Sequence, residues 1–137
     1  MLDETDIQIL NLLTKNSRML LQEIGEEVHL TGQAVRNRIN RMEKLEVIEG
    51  YTIKINSQML GKTLTAFVTV FMKTTDHASF QKYIQNNNLI SEANRISGEG
   101  CYFLKVTAST QTEIVRLLDE ILKYGNYKLN LSIENIK

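Results

Sequence analysis

The chain has 137 residues, of which 42% are hydrophobic and 23% charged, and its 16 basic side chains balance its 16 acidic ones. This length predicts one domain or two small ones, and this composition excludes a disordered or collagen-like chain. A net charge of zero excludes a protein that coats nucleic acid or membrane through its overall field, and it leaves room for a local charged patch.

Further classes of protein are excluded by what the chain lacks. No apolar run is long enough to cross a bilayer, and the first residues are acidic, so we expect a cytoplasmic protein without membrane contact. Cys101 is the single cysteine and His29 lies far from His77, which leaves no disulfide and no zinc-ligand spacing. We expect Cys101 in the core rather than as a nucleophile. Since no acid–base pair or phosphate loop is recognisable, we predict a protein that is not an enzyme and has no metal or cofactor.

The first fifty residues have the periodicity of three helices. Asp3, followed by Asp6, fits an N-terminal cap, so the first helix begins near residue 4. The residues expected on its buried side are Ile7, Leu10 and Leu13. A second helix ends near His29, and Thr31 caps a third helix that runs to about residue 45. Because the turn between these helices favours a left-handed backbone, a structural role for His29 is favoured over pH sensing.

The third helix separates apolar side chains from amides and cations. A helical wheel places Val35, Ile39 and Met42 together, with polar side chains opposite them. Asparagine and glutamine suit adenine, arginine suits guanine, and lysine suits phosphates, so the polar side predicts the recognition helix of a helix-turn-helix. The alternative is an ordinary solvated helix face. The candidate DNA-binding residues are Thr31, Gln33, Arg36, Asn37, Asn40, Arg41 and Lys44.

Arg38 and Thr31 have a second interpretation each. Arg38 falls close to the buried side of the wheel, so we expect it to pair with an acid of the first helix, such as Asp6, and a phosphate contact is the alternative. Thr31 caps the third helix and could also reach a phosphate, since helix N-termini favour anions.

The pattern changes near residue 50. Residues 47–55 form two β-prone runs on either side of Gly50, which predicts a small hairpin, or wing, after the third helix. Residues 56–62 are polar and contain Gly61, as expected of a hinge. We therefore predict a winged helix-turn-helix domain over 1–55, a hinge over 56–62 and a second domain over 63–137.

Extended and helical patterns alternate through the second domain. The predicted order is strand 64–73, helix 76–87, strand 90–97, strand 101–108, helix 111–124 and strand 127–135. This βαββαβ order is that of a ferredoxin-like sheet with both helices on one face, so the predicted fold class is α+β. Gly98 and Gly100 bracket the hairpin between the two middle strands.

The first strand of this domain is apolar on both sides. Two helices cover one face of the sheet only, so the other face, with Phe67 and Phe71, is expected to pack on a second copy of the chain as a dimer interface. The alternative is that these two phenylalanines are simply exposed.

Four segments carry a resemblance to a known family, in the family's order and spacing. They are residues 2–10 (LDETDIQIL), 24–31 (IGEEVHLT), 35–43 (VRNRINRME) and 47–51 (VIEGY). With them, the chain resembles the Lrp/AsnC (feast/famine) family of transcription regulators over nearly its whole length. The resemblance implies a sequence-specific regulator that binds double-stranded DNA as a homodimer or a higher oligomer, such as an octamer.

The second half is similar to the family's regulator-of-amino-acid-metabolism domain. This resemblance implies dimers formed through the sheet, rings of dimers, and an amino-acid effector bound between dimers. It places the tentative effector site at Gly98, Glu99, Gly100 and Cys101. Members that respond to amino acids commonly carry aspartate at the position of Cys101, and a thiol does not balance an α-ammonium group as a carboxylate does.

The residues leave two other functions open. One is a weakly specific, architectural DNA-binding protein, and the other is a small-ligand-binding module that does not bind DNA. The amides and cations of the third helix favour the sequence-specific regulator.

Overall fold

The computed structural model describes residues 1–137, and outside residues 47–55 its helices and strands follow the predicted order. Two units are formed, Met1–Lys54 and Ile55–Lys137. No helix has the length and apolar character that crossing a membrane requires.

Three helices build the first unit: α1 (Glu4–Lys15), α2 (Leu21–Val28) and α3 (Gly32–Lys44). Their apolar sides meet in one core, whose buried residues are Ile9, Ile24, Val28, Val35, Ile39 and Met42. Asp3 and Asp6 form the predicted capping box at the start of α1, in which each carboxylate accepts a backbone N–H of the other residue.

The buried side of α1 differs from the prediction at one residue. Ile7 is 45% exposed, whereas Asp6 and Ile9 are fully buried. Leu10 and Leu13 pack against the core as expected. The apolar periodicity misplaced Ile7 because the inward-facing side of α1 includes the Asp6 carboxylate, and a count of apolar residues assigns a carboxylate to the solvent.

The turn between α2 and α3 requires one left-handed residue and one close approach of the backbone. His29 adopts the predicted left-handed conformation, with φ 59° and ψ 44°. The N–H of Leu30 then donates to the carbonyl of Gly25 at 2.9 Å. A Cβ atom at Gly25 would collide with the carbonyl oxygen of Leu30, so only glycine permits this approach.

The predicted hairpin over residues 47–55 is wrong, because no strand lies between α3 and Leu64. Glu46 adopts a left-handed conformation with φ 57°, and the N–H groups of Val47 and Ile48 donate to the Met42 carbonyl at 2.9 and 3.2 Å. These bonds close the C-terminus of α3. The first strand of a hairpin would need these two N–H groups for hydrogen bonds to its partner strand. Residues 47–55 therefore form no pair of hydrogen-bonded strands within the chain.

The second unit contains a short 3₁₀ turn (Ser57–Leu60) and then β1 (Leu64–Met72), α4 (His77–Asn86), β2 (Ile90–Arg95), β3 (Tyr102–Ala108), α5 (Gln111–Ile121) and β4 (Gly125–Leu131). The strands form one antiparallel sheet in the order β2-β3-β1-β4, which confirms the ferredoxin-like α+β class. The last strand ends at Leu131 rather than at residue 135.

Both helices of the second unit pack on the same face of the sheet. Ala66, Val68 and Val70 of β1 are fully buried in a core shared with Phe80 of α4. From α5 the core receives Ile114, Leu117, Leu118 and Ile121. Thr65, Phe67, Thr69 and Phe71 alternate with the buried residues of β1 and therefore point to the opposite face.

The substitution His29→Gly tests the strain in the α2–α3 turn. Glycine adopts a left-handed backbone without the steric cost that a side chain incurs, so we expect the free energy of unfolding to rise by about 1 kcal/mol. Urea denaturation measures the change. Glu27→Gly, at an exposed position inside α2, is the control and should lower the stability by about 1 kcal/mol. Destabilisation by His29→Gly would contradict the interpretation.

Candidate functional site

The polar side of α3 is open to solvent along its length. All seven candidate DNA-binding residues are exposed, while Val35, Ile39 and Met42 on the other side are buried. We call this exposed side the α3 outer surface: Thr31, Gln33, Arg36, Asn37, Asn40, Arg41 and Lys44.

The N-terminal end of α3 is well ordered by local hydrogen bonds. The hydroxyl of Thr31 accepts the N–H of Ala34 at 3.1 Å, which confirms the predicted cap. Gln33 donates its side-chain N–H to the Asn37 side-chain oxygen at 3.0 Å. The first two turns of α3 therefore present a hydroxyl and two linked amides.

Arg38 makes the predicted ion pair with α1, together with a second one. Its Nη1 lies 2.9 Å from Oδ1 of Asp6 and 2.7 Å from Oδ2 of Asp3. Asp6 is fully buried, so it is the inner anchor of the pair, whereas Asp3 is exposed. The sequence did not reveal that Asp3 also binds Arg38, because its role as a helix cap already accounted for it.

Arg41 differs from the other residues of the α3 outer surface, because it is bound within its own unit. Its Nη1 lies 3.2 Å from Oδ2 of Asp6, and its Nη2 donates to the Met1 carbonyl at 2.5 Å. Its side chain stays 46% exposed. The sequence does contain an indication that Arg41 binds Asp6. Arg41 follows Arg38 by three residues, and this spacing places both guanidinium groups on the same side of α3.

The arginines change the acidity of both carboxylates. Hydrogen bonds from Arg38 and from the Asp6 N–H hold the pKa of Asp3 below its usual value. Burial by itself would raise the pKa of Asp6, but the N–H of Asp3 and the guanidinium of Arg38 lower it further than burial raises it. Both carboxylates are therefore charged at neutral pH and hold α3 against α1.

The tentative effector residues form the turn between β2 and β3. Gly98 and Gly100 both have φ of 88°, and a Cβ at Gly100 would lie 2.5 Å from the Thr69 methyl carbon. Cys101 is half-buried, and its N–H donates to the Val70 carbonyl at 2.7 Å. Glu99 is exposed at the tip. This geometry holds the turn tightly against β1.

The face of the sheet that carries no helix has a small aromatic cluster. Phe67 stacks on Phe103 of β3, with ring centroids 5.8 Å apart and planes 15° from parallel. Phe71 is half-buried on the same side, and Phe103 is 39% exposed. Lys105 and Lys128 follow the same alternation on β3 and β4, so polar side chains surround the aromatic rings.

A recognition helix with exposed amides and cations, in one chain with a ferredoxin-like sheet, defines a DNA-binding regulator of the helix-turn-helix type. Residues 2–43 match the AsnC-type helix-turn-helix domain, and residues 65–137 match the Lrp/AsnC ligand binding domain. The chain belongs to the Lrp/AsnC family of transcriptional regulators, which confirms the resemblance seen in the sequence.

Two regulators of Bacillus subtilis are similar in sequence to this chain over nearly its whole length. The HTH-type transcriptional regulator LrpB of Bacillus subtilis is 48% identical over 136 residues, which cover 99% of this chain and 91% of the relative. LrpA of the same organism is 31% identical over 97% of this chain and 98% of the relative.

Solved structures have the same fold. B. subtilis LrpC matches with a TM-score of 0.94 at 27% identity, covering 100% of this chain and 98% of that one. The Neisseria meningitidis regulator NMB0573, solved as a complex with L-Met, matches with a TM-score of 0.93 at 23% identity, covering 100% of this chain and 93% of that one.

Asp6→Asn tests the anchor of α3. The amide keeps the size of the carboxylate but loses the charge that binds both arginines. At pH 7 we therefore expect the free energy of the local unfolding that exposes the amides of α1 and α3 to fall by about 1 to 3 kcal/mol. Because the folded-state pKa values lie below the unfolded value of 3.8, this stabilisation is complete above that pH and is lost as the pH falls through the folded values.

Amide hydrogen exchange of α1 and α3 at pH 7 and at acid pH measures both effects. The difference between wild type and variant should shrink in acid, where Asp6 itself becomes protonated. Glu26→Gln, an exposed change on α2, is the matched control and should leave exchange unaltered. Equal protection of wild type and Asp6→Asn at pH 7 would refute the anchor.

Proposed function

We propose that the α3 outer surface reads the bases of double-stranded DNA in the major groove. Arg36 and Asn37 supply base-edge contacts, because arginine and asparagine match guanine and adenine bidentately. Lys44, in the last turn, contacts phosphate, and Thr31 places a hydroxyl beside the positively polarised N-terminus of α3. The observation that carries this proposal is the exposure of these side chains on a helix anchored from behind by buried Asp6.

We further propose that two copies of the chain associate through the helix-free face of the sheet. Phe67, Phe71 and Phe103 supply an apolar centre, and polar residues supply a rim, which is the composition of a protein interface. A twofold dimer with residues 56–62 as the hinge would present two recognition helices to half-sites about 34 Å apart, or a multiple of that. Dimers would assemble further, up to an octamer, in the cytoplasm.

The second unit is proposed to bind a small effector. It matches a ligand binding domain, and the Neisseria relative binds L-Met. The turn Gly98-Glu99-Gly100-Cys101 is one candidate contact. A ligand that prefers one assembly state would shift the spacing of the recognition helices and so the affinity for DNA.

A weakly specific architectural protein is the alternative within the DNA-binding class. It would bind through phosphate contacts, and its affinity would depend steeply on salt and little on sequence. The paired amides of Gln33 and Asn37 favour base reading, because an amide adds little to phosphate attraction.

Selection from a random pool of duplex oligonucleotides at two salt concentrations tests the regulator. We expect the full chain to enrich a roughly palindromic motif and to retain it at the higher salt. On that motif, Arg36→Ala and Asn37→Ala should each cost about 1 to 3 kcal/mol and relax specificity, whereas Lys44→Ala should weaken all sequences alike and reduce the salt dependence.

Lys123→Ala is the matched control, since Lys123 is an exposed cation in the second unit and should not affect binding. Equal effects of Arg36→Ala, Asn37→Ala and Lys44→Ala on all sequences would exclude base reading. Failure to enrich any motif, with binding that salt abolishes, would favour the architectural alternative.

Phe71→Asp tests the interface. A carboxylate at the centre of an apolar contact would be buried without a partner, so we expect dimers to dissociate to the 15.7 kDa monomer in light scattering. Val115→Asp, on the exposed side of α5, should leave the mass of the assembly unchanged. A folded Phe71→Asp protein that is still dimeric would place the interface elsewhere.

A further inference from the structure

A small pocket lies between α4 and the edge strand β2 of the second unit, on the helix side of the sheet. Its volume is about 250 Å³. Three elements line it: α4 with Gln81, Ile84 and Gln85, β2 with Ala93, Asn94 and Arg95, and β3 with Tyr102. The pocket is smaller than the sites that hold drug-sized molecules, so its size suits a compact metabolite.

The phenol of Tyr102 is held in a fixed position in this pocket. Tyr102 is 2% exposed, and its hydroxyl lies 2.7 Å from Nδ1 of His77 and accepts a hydrogen bond from Nε2 of Gln81 at 3.1 Å. Phe80 packs edge-on against the Tyr102 ring, with centroids 4.9 Å apart. One side of the pocket is thus built by polar groups that are already ordered.

Arg95 supplies the only formal charge among the lining residues. It stands opposite Tyr102 in the β2–β3 register. All three ion pairs of the protein lie in the first unit, so the Arg95 guanidinium has no acidic partner. The pocket lining contains no aspartate or glutamate, and Glu99 of the neighbouring turn is not part of it.

These groups select for one kind of ligand. A guanidinium binds a carboxylate through two parallel hydrogen bonds, while Ile84 and Ala93 offer an apolar surface for a short carbon chain. An α-amino acid would bring an ammonium group beside an arginine with no carboxylate in the lining to balance it, and like charges close together repel each other. Cys101 supplies no such carboxylate in the adjacent turn either.

We propose that this pocket binds a small organic acid without an amino group, such as a 2-oxo acid, with its carboxylate on Arg95. The side-chain amide of Gln85 is available to the 2-oxo group, and the apolar wall receives the carbon chain. The proposal takes from the proposed function only the premise that the second unit binds a small ligand.

Isothermal titration of the full chain with a matched pair of compounds tests the ligand class. 4-Methyl-2-oxopentanoate and L-leucine share one carbon skeleton and differ in the oxo or ammonium group, and pyruvate provides a shorter acid. We expect the oxo acids to bind, and L-leucine to bind at least about tenfold more weakly than its oxo acid. Absence of binding by both oxo acids, or equal or tighter binding of L-leucine that Arg95→Gln also weakens, would overturn the proposal.

Substitution of Arg95 tests the site. Arg95→Gln should weaken binding of 4-methyl-2-oxopentanoate at least about tenfold, and Arg95→Lys, which keeps the charge but not the two parallel donors, should fall in between. Arg116→Gln on α5 is the matched control, because Arg116 is also exposed and unpaired, and it should leave binding unchanged. A folded Arg95→Gln protein that binds as wild type would exclude this pocket.

The proposal of acid binding and the proposal of DNA reading can each be refuted without refuting the other. Titration measures ligand binding without DNA, so its failure leaves the DNA-binding proposal intact. Failure to enrich a DNA motif, in turn, leaves the binding of the acid to this pocket unaffected.

Discussion

The buried carboxylate of Asp6 is the interaction on which the DNA-reading surface depends. It accepts hydrogen bonds from Arg38 and Arg41, so two cations of α3 are tied to α1. A buried charge is costly unless it is paired, and here the pairing is complete, because no buried polar side-chain atom lacks a partner. The apolar side chains Val35, Ile39 and Met42 determine which side of α3 faces the core. The ion pairs add directional hydrogen bonds that hold α3 in this orientation.

The arginines of α3 have two different roles. Arg36 projects from the exposed side without an ion pair, whereas Arg38 and Arg41 are engaged by acids. Arginine suits both tasks because its planar fork binds carboxylates and base edges in the same bidentate way. Which arginine serves which task is decided by its angular position on the helix and by where Asp6 lies.

Two features of the second unit bear on which ligand it can bind: the Gly98–Cys101 turn and the pocket beside Tyr102. The Gly98–Cys101 turn is held tightly against β1 and carries a thiol where a carboxylate would be needed to balance an ammonium group. The pocket beside Tyr102 carries a guanidinium without an acid. Both features disfavour a cationic group on the ligand, and they do so independently, since one arises from Cys101 and the other from Arg95. The stacked Phe67 and Phe103 lie on the opposite face of the sheet, so the proposed interface and the pocket do not compete for the same surface.

The sequence by itself determined the order of the helices and strands outside residues 47–55, the caps at Asp3 and Thr31 and the left-handed turn at His29, because each follows from local spacing and side-chain chemistry. It also indicated the Arg38–Asp6 pair, from the position of Arg38 near the buried side of the helical wheel. Only the tertiary structure decided what depends on contacts between distant segments. It turned Ile7 outward, since the inward side of α1 includes a carboxylate. It left residues 47–55 without a hairpin, since the end of α3 uses the donors of Val47 and Ile48. It brought Gln81, Arg95 and Tyr102 to one pocket, which no periodicity encodes because three separate elements supply it.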